Sequence, residues 1–362
     1  MALTPPKLLY GRAIVGELSF RMIIGTSIVV VGLDKPERIE GQPWDGGLLD
    51  EYANMKPQAW TENVRPALSD RGGWCDFLGV PEGRNHYYDL DQNARALMQM
   101  HGDASDWGTY HWKSADILPP EEIAAARADL DELTFQQEYE ASFVSFTGLA
   151  YHAWDHRESV ARLNYDPNKP LIFVFDFNVS PGIAAVIQEQ VLPNGLQGTG
   201  VIGEVWIKRN SNTLAVCRRL IQDWGDHPGE VHLYGDATGG AKGSAKVQGS
   251  DWDLIRDALR PVFGDRLRFY VGRSNPPERV RVNAVNSRLC SASGQRRLMV
   301  DPANAPNVVK DFEGVTVLEG GTGEIDKKAQ PMLSHLTDAI GYYVEAEYPT
   351  RERKVTIGRL AA

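Results

Sequence analysis

Three aspartates stand where a chain of alternating strands and helices could gather them. Asp176 closes the apolar run Leu171–Phe175, Asp236 closes "EVHLYGDATGG", and Asp338 lies in "SHLTDAIGYYVEA", three residues after His335. An unbroken apolar run of this length reads as a strand covered on both faces. A carboxylate at its end is costly unless paired, hydrogen-bonded or bound to metal. In open α/β sheets ligands bind beyond the carboxyl ends of the strands. Two strands could therefore present Asp176 and Asp236, and a helix across the sheet could add Asp338 and His335, which share one helical face. Converging carboxylates repel unless something positive lies between them. Hard divalent cations such as Mg2+ or Mn2+ fill that role with oxygen ligands, and a two-metal site is suited to phosphodiester hydrolysis. Plainer readings compete: Asp176 as a cap or turn former, and Asp338 as half of a buried ion pair. Glu204, ending "GVIGE", reads more readily as an exposed acid on an edge strand than as a further ligand.

The elements that would position these acids are legible in outline. Strands are expected near 171–176, 183–190, 201–207 and 230–235, followed by alternating helices and strands and a closing helix near 331–346. Upstream, "SFRMIIGTSIVVVGL" reads as a hairpin about "GTS". "WDGGLLDEYANM" is a short apolar step ending on Asp50 and Glu51, "PQAWTENVRPALSDR" a helix despite Pro66, and "WCDFLGV" a strand. Pro119 and Pro120 followed by acids mark a helix start. "YDPNKP" reads as a boundary. The expected organisation is thus a region 1–150, a linker 151–170 and a domain 171–362.

Composition narrows the class. The chain has 362 residues, 42% hydrophobic and 24% charged, with a net charge of −10. No apolar stretch is long enough to span a bilayer. Cys75, Cys217 and Cys290 are widely spaced, which argues against a disulfide framework or a zinc site and fits a reducing compartment. An acidic chain argues against a nucleic-acid partner, yet the charge is uneven. Lys242–Arg297 holds 12 Lys/Arg against 5 Asp/Glu, a balance of +7. That segment is the candidate phosphate-binding face, with Lys242 and Lys246 nearest Asp236 and with Phe269 and Tyr270 expected in the core.

Read together, "FVFDFNVSPGIAAVIQE", "GEVWI", "HLYGDATGG" and "DKKAQPMLSHLTDAIGYYVEAEYP" resemble the nuclease domain of the large terminase subunit of tailed bacteriophages. That domain belongs to the ribonuclease H-like superfamily. "MIIGTSIVVVGLDKPERIEGQPWDGGLLDEYANM" resembles the part of the family's ATPase that ends in a Walker B strand, and "RPALSDRGGWCDFLGVPEGRNHYYDL" its coupling segment. The resemblance implies an α/β fold: a ribonuclease H-like domain with a mixed central sheet, preceded by a partial P-loop-ATPase-like segment. It implies that Asp176, Asp236 and Asp338 bind Mg2+ or Mn2+, with His335 as accessory ligand or proton-transfer group. Asp50 would hold magnesium and Glu51 would polarise water on ATP. The implied activity is metal-dependent cutting of double-stranded DNA during genome packaging in a phage or prophage. The implied partners are the small terminase subunit and the portal protein, in the cytoplasm of the bacterial host and without a membrane. Alternatives are a packaging-motor or assembly component with a vestigial nuclease, and a Holliday-junction-resolvase-like nuclease. Two departures stand out. The chain contains no GxxxxGK[ST] phosphate loop, so the family's loop would belong upstream of Met1 and ATP turnover is not expected. Val80 also stands where the family usually has a hydroxyl residue.

Overall fold

The computed structural model describes residues 6–11, 18–83, 85–144, 148–177, 181–209, 211–240, 250–318 and 323–350. Its larger sheet follows from the apolar runs. Strands β5 (Leu171–Asp176), β6 (Gly182–Val191), β7 (Gln197–Ile207), β8 (Val231–Gly235), β9 (Leu267–Phe269) and β10 (Leu298–Val300) form one sheet in the order β10-β7-β6-β5-β8-β9. β6 runs against both neighbours, and every other adjacent pair is parallel. Side chains alternate across a strand, so β5 feeds two cores. Ile172 and Val174 face one, while Leu171, Phe173 and Phe175 face the other. The first core is covered by α8 (Glu278–Leu289), α9 (Pro306–Gly314) and α10 (His335–Glu347), the second by α6 (Thr213–Trp224) and α7 (Asp251–Phe263). Each fully buried side chain of this size contributes about 1.5–3 kcal/mol.

The first half is smaller and less covered. β1 (Ser19–Arg21) and β2 (Ser27–Val29) form the expected hairpin, shorter than the apolar pattern and largely exposed. β3 (Gly46–Leu49) and β4 (Trp74–Phe77) pair in parallel, and the connection between them is helical, as a parallel crossover requires. That connection starts as a wide helical turn over Ala59–Val64 and continues as α1 (Arg65–Ser69). Pro66 falls where the wide turn hands over to α1. Leu49, Tyr52, Val64 and Leu68 make a minor core with Trp60, Phe77 and Tyr87. α2 (His86–His101), α3 (Pro120–Asp129) and α4 (Glu132–Tyr139) follow, α4 capped by Asp131.

The stretch expected as a linker is part of the second half. Tyr151 is 1% exposed and packs edge-on against Phe312. Beyond the short helix α5 (His156–Ser159), Val160 bridges Val300, and the Leu163 amide donates to Asp301. The prolines of "YDPNKP" mark a turn after this docking rather than a free spacer. Several polar contacts tie the halves together. Arg279 of α8 pairs with Glu82 at 2.9 Å, and the Asp131 amide donates to Ser287 at 3.0 Å.

Candidate active site

Phe175 and Gly235 are register partners on the adjacent parallel strands β5 and β8, so Asp176 and Asp236 leave the sheet side by side. The Asp236 amide donates to the Phe175 carbonyl at 3.2 Å, which carries the pairing one residue further. Only glycine fits before Asp236: Gly235 has φ +152°, and a Cβ there would lie 2.3 Å from the Phe175 carbonyl oxygen. The Asp236 carboxylate is held through Oδ1, which accepts from the Thr238 amide (2.6 Å), the Thr238 hydroxyl (2.7 Å) and Asn275 Nδ2 (2.7 Å). Asn275 in turn accepts from the Ala237 amide, so one side chain fixes both the acid and the loop behind it.

α10 lies across β5, β6 and β8 and brings the other expected residues. His335 Nδ1 is 3.3 Å from Asp176 Oδ2, and its Nε2 is 3.1 Å from the Pro331 carbonyl. Both partners can accept, so each contact suits a donating ring nitrogen and favours the protonated ring. Burial opposes that charge, but the bonds to Asp176 and the Pro331 carbonyl outweigh it and raise the His335 pKa. A ring nitrogen that donates has no lone pair free for a metal.

Asp338 is not bare. Arg281 Nη1 lies 3.0 Å from its Oδ1, and Lys327 Nζ 3.0 Å from its Oδ2. Burial raises the Asp338 pKa, the two cations pull it down, and the charge of Asp176 pushes it up again, for a net rise. Burial raises the Tyr342 pKa, the Arg281 guanidinium 4.2 Å from its ring lowers it, and the charges of Asp236, Asp176 and Asp338 add to the rise. Gly341 lets α10 approach α8, since a Cβ there would touch Arg281 Cβ at 3.3 Å. Among the described residues, no group of three or more His, Cys, Asp and Glu side chains is placed so as to hold a metal ion. Asp176 and Asp236 offer the oxygen donors that a hard divalent cation takes. Both oxygens of Asp338 are already engaged by cations, so in this arrangement Asp338 is not open to such an ion.

Arg281 and Lys327 were not anticipated from the sequence. Lys327 lies in the quoted closing stretch, eleven residues before Asp338, but nothing in its spacing points to the carboxylate. Glu204 differs from its reading as an edge-strand acid. β7 is interior to the sheet, and Glu204 accepts from the Asn307 and Val308 amides at the start of α9. Asp311, unremarked in the sequence, performs the same service for α10, accepting from the Leu336 and Thr337 amides.

The basic segment changes character too. Arg266 and Arg296 donate to backbone carbonyls, Arg281 and Arg288 pair with buried or half-buried acids, and Arg268 pairs with Glu230. Phe269 packs in the core as expected, whereas Tyr270 is 47% exposed and stacks on Tyr234. Lys242 and Lys246 lie outside the described residues. In the first half, Asp50 and Glu51 follow β3 and are both exposed, Glu51 at φ +54°.

No family model matches the sequence. The large terminase subunits of Thermus phage G20c and Thermus virus P23-45 are each 29% identical over 137 residues, 34% of this chain and 27% of theirs. The chain thus spans about a quarter of the length of the curated relatives it matches. Among solved structures, the large terminase of a thermophilic bacteriophage in complex with ADP superposes with a TM-score of 0.59. That match covers 93% of this chain and 78% of that one, at 13% identity. The fold is that of a large terminase. A further structure of the same phage enzyme gives a TM-score of 0.57 at 16% identity over the same shares. At 93% of the chain, the likeness extends over both halves.

Proposed function

We propose that the chain is a large terminase component whose second half is a metal-dependent DNA endonuclease acting in phage or prophage genome packaging. The observation that carries this is the placement of Asp176 and Asp236 side by side at the ends of parallel strands, beneath a helix that supplies His335 and Asp338. The strand order, with the antiparallel strand β6 at the centre beside β5, supports the ribonuclease H-like reading, and the likeness to the thermophilic phage enzyme supports the terminase setting. Asp176 and Asp236 would hold a Mg2+ or Mn2+ ion. Such an ion supplies charge for a phosphodiester oxygen and lowers the pKa of bound water. The chain's own residues do the rest. Asn275 and Thr238 fix the Asp236 carboxylate, and α10 keeps the His335 proton against Asp176. Arg281 holds Asp338 in place from below. Double-stranded DNA is the proposed substrate. The small subunit and portal protein are proposed partners, and ATP belongs to Asp50 and Glu51 only alongside a phosphate loop.

The ion-paired Asp338 favours one competing reading, a packaging component whose nuclease is vestigial. A plasmid-nicking assay in Mg2+ and in Mn2+ separates the two. Cleavage by the unaltered chain should fall at least 100-fold in Asp176→Asn and in Asp236→Asn, with circular dichroism unchanged. Absence of cleavage in the unaltered chain would favour the vestigial reading, and preference for four-way junctions would favour a resolvase.

A further inference from the structure

Lys327 is built into the site by more than one contact. Its ammonium lies 2.8 Å from Glu278 Oε2 as well as 3.0 Å from Asp338 Oδ2. The Ile325 amide donates to Glu278 Oε1 at 2.9 Å, which seats the segment carrying Lys327 on the start of α8. The Asp326 amide donates to the Thr316 carbonyl and fixes it from the other side. The two cations on Asp338 are not equivalent. Arg281 is 7% exposed and stacked on Tyr342, so it is locked in. Lys327 is 51% exposed, so its ammonium bridges two acids while still reaching solvent. Asp338 and Glu278 carry two negative charges, and Arg281 and Lys327 balance them in full.

We propose that the Lys327 ammonium is a built-in cation of this site, standing where a second divalent ion would otherwise sit and presenting its open side to an oxygen of a DNA phosphodiester. The proposal rests on the nuclease reading and deepens it, by assigning one divalent ion to Asp176 and Asp236 and the other positive charge to the chain itself. An ammonium is a compact point charge with three donors. Two of its directions are taken by Asp338 and Glu278, and among the described residues the third is open to solvent and to an anionic oxygen. Lysine in this place would make the site less dependent on a second, weakly held ion.

The test is Mn2+ stoichiometry on the metal-free chain, measured by calorimetry and by electron paramagnetic resonance of free Mn2+, without DNA. The unaltered chain and Lys327→Arg should each bind one ion. Lys327→Met and Lys327→Gln, which remove the charge, should each bind two, the added ion lost again in the double variants with Asp338→Asn. Asp236→Asn should lose the first ion. Two neutral variants are used so that poor folding of one does not decide the matter. Two ions on the unaltered chain, or one on both folded neutral variants, would overturn the role of Lys327 while leaving the nuclease reading intact. No bound Mn2+ on the unaltered chain would overturn the metal-dependent reading and this proposal together.

Discussion

Asp338 behaves differently from an aspartate in an open carboxylate cluster, and the difference has a sign. Removing one of several mutually repelling acids relieves repulsion and stabilises a metal-free protein. Here Asp338→Ala would instead strand Arg281, which is 7% exposed and takes its charge partner from Asp338. Breaking a buried pair by removing one member costs about 3–5 kcal/mol. The expected result is a lower midpoint in urea, with Asp176→Ala milder; an unchanged Asp338→Ala midpoint would show that Arg281 finds another partner. Asp311 gives a pH signature. Burial pushes its carboxyl up to about 7, although the Leu336 and Thr337 amides and the charge of His335 pull it down; Glu204 pushes it up further. Its Oδ1 is buried without a hydrogen-bond partner among the described residues. The folded state then holds a proton that the unfolded chain has released between its ordinary range near 3.8 and about 7. Stability from this group therefore falls as pH rises through that window, by at most about 1.4 kcal/mol per pH unit. Asp311→Asn should flatten that slope in urea melts run from pH 4 to 8.

At the scale of elements, the site depends on how closely β5 and β8 approach at their ends. Gly235 permits that approach, and its backbone lies where a side chain would meet the Phe175 carbonyl. Gly235→Ala should cost about 1–3 kcal/mol from backbone strain alone and should displace Asp236 from Asn275. Cleavage should therefore fall more steeply than stability, and full cleavage with a lowered melting temperature would separate the glycine from the site. The longer strands of the second half, β5, β6 and β7, were legible because each is largely an apolar run buried on both faces. β5 occupies Leu171–Asp176 as expected, and β6 and β7 differ from expectation only at their ends. The first half was harder to read. Its strands are only three or four residues long and its hairpin is exposed, so pattern and burial carry less information there.

For the whole molecule, a net charge of −10 must be reconciled with the proposed polyanion substrate. At least five of the ten arginines of the basic segment are engaged by acids or carbonyls of the chain itself, so the count of +7 overstates the charge that DNA would meet. Lys242 and Lys246, beside Asp236 in sequence, are the proposed phosphate contacts. Replacing both with alanine should reduce the slope of log K against log salt by about one for each lost contact, with little change in sequence preference. An unchanged slope would place the DNA on another face. No helix among the described residues is long and apolar enough to cross a membrane.

The sequence by itself determined the long strands of the second half and the closing helix, because burial on both faces and helical periodicity are written into local residue order. It also carried the order of motifs along the chain, and with it the terminase resemblance. Only the tertiary structure decided what each acid meets. Asp338 and Arg281 are 57 residues apart and Glu204 and Asn307 are 103 apart, and no local pattern encodes such pairings. They arise when α8, α9 and α10 close over one face of the sheet and each buried carboxylate must find a cation or a helix start. The same closure turned a basic stretch into internal ion pairs and a supposed linker into part of the core.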